Sequence, residues 1–147
     1  MEEGEHDQMA LADLRRLGFG IENFRELPST SAYYQTLFYS IEFLDPSSLM
    51  GYSLLLEGFA GSRLAKVVHR LEQAYSKETT TFIRTHCLLD VEHAQQAEQF
   101  IRTFSPEKLA HVYSAIERSC YLYEQLVLGV AQASHGEFEK LNIQAAV

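Results

Sequence analysis

Apolar positions along this chain recur every three to four residues, and no stretch alternates with a period of two for long, so the pattern predicts an all-α protein. Residues Glu2 to Leu17 read as a first helix with Met9, Ala10, Leu14 and Leu17 on one side, stopped by Gly18 and Gly20. After the loop GFGIENFRELPSTS, a second helix is expected from about Ser31 to Leu44. The DPSS sequence breaks it, because Pro46 cannot continue a helix but can open the next. A third helix is expected from about Ser47 to Tyr75 and a fourth from about Lys77 to Phe104. Ser105 then offers an N-cap and Pro106 a first helical position for a fifth helix. That helix should run to about Ser134 and end at Gly136. The result is about five helices in one domain over residues 1–147.

Polar residues interrupt the apolar faces in a particular way. At about 100° per residue, Phe82, His86, Asp90, His93, Ala97, Phe100 and Phe104 share one side of the fourth helix. Two imidazoles and a carboxylate therefore stand inside the stripe that should be buried. On the third helix, Glu57 sits mid-stripe among Met50, Leu54, Gly61, Leu64, Val68, Leu71 and Tyr75. On the first, His6 lies on the side of Ala10, Leu14 and Leu17, with Glu3 three residues before it.

Composition narrows what these residues are for. Hydrophobic residues make up 46% of the 147-residue chain and charged residues 22%, enough for a core. The net charge of −8, without a Lys/Arg cluster, argues against nucleic acid or an anionic membrane as partner. No apolar run suits a membrane span, and no start reads as a signal peptide. Cys87 and Cys120 lack CxxC spacing and read as reduced thiols of a cytoplasmic protein.

A buried carboxylate or imidazole without a partner costs several kcal/mol. A divalent metal, or a pair of them, would satisfy Glu3, His6, Glu57, His86, Asp90 and His93 together. Ligands three or four residues apart are neighbours on a helix surface. Imidazole mixed with carboxylate suits iron, manganese or zinc better than calcium. The bland reading is a hydrogen-bonded polar network, and it must neutralise three groups on one stripe of the fourth helix. His69, His111 and His135 are read as ordinary core or surface histidines. Glu3 competes with Glu2 and Glu5, since acidic residues also favour a helix N-terminus without any metal.

The segments EEGEHDQMALADLRRLG, LLLEGFAG and RTHCLLDVEH resemble the haem-oxygenase-like diiron oxidases, the iron-containing redox enzymes. That family carries an early Glu and His, a Glu in a Leu-Glu-Gly context, and His-x3-Asp/Glu-x2-His on a later helix. His6, Glu57, His86, Asp90 and His93 match in that order, with Glu3 or else Glu2 as the early carboxylate. The resemblance implies a haem-oxygenase-like helical bundle and a non-haem site for two iron ions, with manganese as an alternative. It also implies the use of dioxygen to oxidise a small amine, amino acid or fatty acid. Family members usually carry more chain before the first ligand helix. A second subunit is therefore expected to cover the open side, giving a homodimer.

Two other readings compete. A ferritin-like diiron bundle would use Glu3-x2-His6, Asp90-x2-His93, Glu57, and Glu117 or Glu124, leaving His86 surplus. A metal-free, thiaminase-like or ligand-binding relative would leave the His-Asp-His stripe without a purpose. The aromatics Tyr33, Tyr34, Phe38, Phe59 and Tyr121 suggest core positions, with a pocket lining as the alternative.

Overall fold

The structure, a computed structural model, describes residues 6–59 and 63–144, with 136–144 as backbone only. Its α-helices are α1 (His6–Arg16), α2 (Pro28–Tyr39), α3 (Ser48–Phe59), α4 (Ala65–Ala74), α5 (Thr81–Ile101) and α6 (Pro106–Gln144). A 3-10 turn at Ile21–Asn23 and a π turn at Ser40–Leu44 complete the regular elements. No strand occurs among the described residues, as expected of an all-α chain.

The expected boundaries hold where a specific residue forces them. Gly18 ends α1 with φ +88. The Phe19 amide reaches back to the Leu14 carbonyl at 3.1 Å and the Gly18 amide to that of Arg15 at 3.0 Å, the Schellman pattern that uses the last free carbonyls. Pro28, not Ser31, opens α2, because a proline fits the first helical position, where no intrahelical N–H is required. The Asp45 carboxylate accepts the Ser47 amide at 2.8 Å. That turn separates the π turn from α3, and the bonds from Ser47 hold the Asp45 carboxyl below its usual pKa.

One expected span runs through undescribed residues, and one boundary differs. The span expected to be one third helix contains α3 and α4, with residues 60–62 outside the described set. In the other direction, Gly136 does not end α6, whose backbone stays helical to Gln144. A helical glycine costs only about 1 kcal/mol, so it stops a helix chiefly where the chain needs positive φ.

The chain divides into two compact units. One comprises residues 1–25 and 53–106, the other 26–52 and 107–147. In the first, α5 packs against α1 and α4, and Val68, Ala97 and Ile101 are buried. The buried carboxylate of Asp13 on α1 accepts the hydroxyl of Thr81 and the backbone N–H of Phe82, the latter at 2.8 Å. Thr80 gives α5 no side-chain cap of its own. Asp13 therefore caps α5 from a different helix, satisfying donors that a helix start leaves open.

In the second unit, Val112 and Ala115 of α6 are buried with Ser47, Ser48 and Tyr33. Gly51 of α3 lies so close to α6 that a Cβ there would strike the Val112 carbonyl oxygen and come within 2.8 Å of the Ala115 Cβ. Small residues on α3 are what permit this approach. The rings of Tyr52 and Tyr123 stand 5.6 and 5.9 Å from that of Tyr33. Of the other aromatics expected in the core, Tyr34, Phe38, Phe59 and Tyr121 are all exposed. Helical spacing marked their face, but small residues such as Ser40 and Ser48 took the buried positions.

Candidate metal centre

The first unit holds five of the six residues singled out above; Glu3, like Glu2, lies outside the described residues. His6 opens α1 and is buried. His86 sits on the second turn of α5, half-buried. The two rings meet edge to face, with centroids 4.6 Å apart and planes at 69°. Two imidazoles far apart in sequence are thus brought together by the α1–α5 packing. Asp90, one turn beyond His86, is 6% exposed. His93 follows on the same face of α5 and is half-buried, as is Glu57 on α3.

The tautomer of His86 follows from its hydrogen bond. Nδ1 lies 3.0 Å from the Phe82 carbonyl oxygen, one turn back on the same helix. A carbonyl can only accept, so Nδ1 carries a proton, and in the neutral ring the lone pair is on Nε2. This is the arrangement of a metal-binding histidine, whose second nitrogen is held by a backbone carbonyl. The Phe82 ring packs against the same imidazole at 4.3 Å and restricts its rotation.

Asp13, overlooked in the sequence, fixes the frame of this site. Its carboxylate holds the start of α5 to α1, seven residues along α1 from His6 and four to five along α5 from His86. Arg16 adds an ion pair to Asp13 at 2.9 Å and also donates to the Glu78 carbonyl at 3.1 Å. The signal was present: Asp13 falls on the stripe of Ala10, Leu14 and Leu17, as Asp90 falls on that of His86 and His93.

The donor set fits iron in chemistry, being imidazole and carboxylate with one tautomer already set. None of His6, Glu57, His86, Asp90 and His93 is without a partner. Among the described residues, however, no three metal-ligating side chains are gathered into an ion-binding cluster. A concavity of about 510 Å³ in this unit lies at the end of α1, lined by Leu14, Phe19 and Ile21, and none of the histidines borders it. Cys87 and Cys120 are both free thiols. No helix among the described residues is long and apolar enough to cross a membrane.

Comparison with known proteins gives one match. Residues 1–124 fit the model of a family described as iron-containing redox enzyme, which covers every residue singled out for the site. No curated protein and no solved structure matches the chain.

Proposed function

The chain belongs to the iron-containing redox enzyme family, and from that premise we propose that it is a non-haem diiron oxidase using dioxygen on a small organic substrate. His6, Glu57, His86, Asp90 and His93 would hold the metal, with Glu3 as the further carboxylate. The observation that carries this reading is the His6–His86 contact at 4.6 Å, with His86 held in the Nε2-donor tautomer by the Phe82 carbonyl. Family membership supports iron and a redox reaction. The substrate class, a small amine, amino acid or fatty acid, rests on the resemblance of motifs.

When bound, iron supplies the electron transfer to dioxygen that no side chain can perform. The chain contributes the rest. Phe82 holds the His86 Nδ1 proton, so that only Nε2 is offered to the metal. The carboxylate of Asp90 brings negative charge to a buried position, where it would offset a cation with little screening. Asp13 keeps α1 and α5 in register, and with them the spacing of His6 and His86. A homodimer is part of the proposal. It is supported by the exposed aromatics of α2 and the π turn, among them Phe38 at 62% and Phe43 at 74%.

Anaerobic titration with ferrous iron tests the ligand assignment. Uptake of up to two ions per chain is expected, weakened at least about tenfold in His86→Ala and in His93→Ala, since even outer-shell changes cost that much. Equal uptake by wild type and both variants would remove the assignment and leave a polar network in its place.

A further inference from the structure

The second unit contains a cation that its surroundings do not explain. Arg118 of α6 donates from Nη1 to the Ser114 hydroxyl at 2.7 Å. Its Nε and Nη2 are buried and meet no hydrogen-bond partner among the described residues. These two N–H groups form the parallel edge of the guanidinium fork, the edge that grips an anion with two bonds. Arg118 lines a small cavity of about 10 Å³ together with Tyr33, Thr36, Ser40, Ser119 and Leu122.

No acidic side chain lines that cavity. Its hydroxyl groups do not serve the guanidinium in place of an acid. The Ser40 hydroxyl donates to the Thr36 carbonyl at 2.8 Å. The Tyr33 hydroxyl is close enough to Tyr52 to feel it electrostatically, but neither gives nor takes a hydrogen bond of good geometry. Burial pushes the Tyr33 phenol well above its usual pKa, so it remains a neutral O–H donor rather than a counter-charge. Buried donors are almost always paired, and the charge of Arg118, a half-buried residue, is only partly met by solvent. The space suits one water-sized group. Water would satisfy the hydrogen bonds alone, whereas a small anion would satisfy them and also meet the charge on the buried edge of the guanidinium.

We propose that this cavity between α2 and α6 is a binding site for one small monovalent anion, held by Nε–H and Nη2–H of Arg118. Chloride and the head of a small carboxylate share the required chemistry, and the size of the cavity favours chloride. The site is independent of the iron reading, since none of its residues is among the metal ligands named above.

Thermal unfolding of the full chain, at constant ionic strength with gluconate as the balancing anion, tests the idea. Chloride is expected to raise the midpoint, by about 4 °C at a tenfold excess over its Kd and then by a similar step for each further tenfold increase. Formate should do so less strongly. In Arg118→Met, which keeps the length of the side chain and removes the donors, both shifts should vanish. Chloride-35 line broadening on the wild-type protein, reversed by formate, gives a second readout that does not depend on the variant folding. The proposal is overturned by midpoints that are the same in chloride, formate and gluconate, with no line broadening. Equal responses of wild type and Arg118→Met would overturn it too, because the effect would then be a general one of salt.

Discussion

The carboxylate of Asp13, on α1, accepts the backbone N–H of Phe82, on α5, at 2.8 Å. One residue thereby caps a helix to which it does not belong, and Phe82 in turn holds the Nδ1 proton of His86. Fold and candidate site meet in that short chain of bonds.

Replacing Asp13 with alanine should therefore act twice. Loss of the cap, with the Thr81 hydroxyl and the Phe82 amide left unpaired, should cost about 2 kcal/mol. The Arg16 pair adds little to this, because Arg16 is about half exposed. Urea unfolding reads the stability loss. Ferrous binding should weaken in the same variant although Asp13 touches no proposed ligand, since the spacing of His6 and His86 depends on it. Unchanged iron affinity in a folded Asp13→Ala protein would separate the cap from the site.

The same sequence signal, a carboxylate inside an apolar helical stripe, marks both Asp13 and Asp90, which explains how far the sequence could be read. Periodicity points to the face that is buried, and it identified the all-α class and the buried Asp90 and Ala97 of α5, but it also placed Phe100 on that face, which is 56% exposed, and left out Ile101, which is buried. It does not identify the partner of a buried charge, because that partner comes from another element. For Asp13 the partner is a helix start. The exposed aromatics of α2 show the same limit, since Gly51 and the buried serines draw helices close at positions where bulk was expected. His86 was legible as a polar intruder in the stripe, but its tautomer was not, because that depends on a carbonyl and a ring rotation.

Gly51 offers a test of the close approach in the second unit. Gly51→Ala places a methyl group against the Val112 carbonyl and the Ala115 side chain, both on a buried face of α6. Overpacking of this kind costs about 1–3 kcal/mol, against a small gain in helix propensity. A lowered denaturation midpoint with unchanged helical content is expected. A more stable Gly51→Ala protein would mean that α3 and α6 do not meet there.

Tyr33 and Tyr52 set an alkaline limit. Burial raises both phenols above the ordinary value of 10.0, because the charged form is disfavoured in the interior. The folded state then holds its phenolic protons more tightly than the unfolded state. Their contribution to stability is complete below about pH 10, the unfolded value, and declines as pH rises beyond it. Urea midpoints should be flat on this account up to about pH 10 and fall above it, less steeply in Tyr33→Phe. Phenolate absorbance rising as early as that of a free tyrosine, for all eight tyrosines, would contradict the burial.

Self-association is the next expectation. Tyr34, Phe38, Tyr39 and Phe43 on α2 and the π turn are exposed, and their rings pair as Tyr34–Phe38 and Tyr39–Phe43. Apolar surface of this kind is commonly buried between subunits. Light scattering at micromolar concentration should give a dimer, and Phe38→Ser with Phe43→Ser should give a monomer of unchanged helicity. A wild-type monomer would remove the dimer from the proposed function.

His86 itself allows a test that needs no enzymatic turnover. Nitrogen-15 NMR of the metal-free protein should show a proton on Nδ1, as the 3.0 Å contact with the Phe82 carbonyl requires. Zinc, a diamagnetic ion that accepts the same imidazole and carboxylate donors, should then shift Nε2 while leaving the Nδ1 proton in place. Asp90→Asn should weaken that response, since it removes the buried charge that offsets the cation, and should leave the tautomer untouched because Phe82 sets it. An Nδ1 without its proton would break the link between helix geometry and metal binding. A correct tautomer whose Nε2 ignores zinc would instead assign His86 to packing against His6 and Phe82, and the metal would have to be sought elsewhere in the chain.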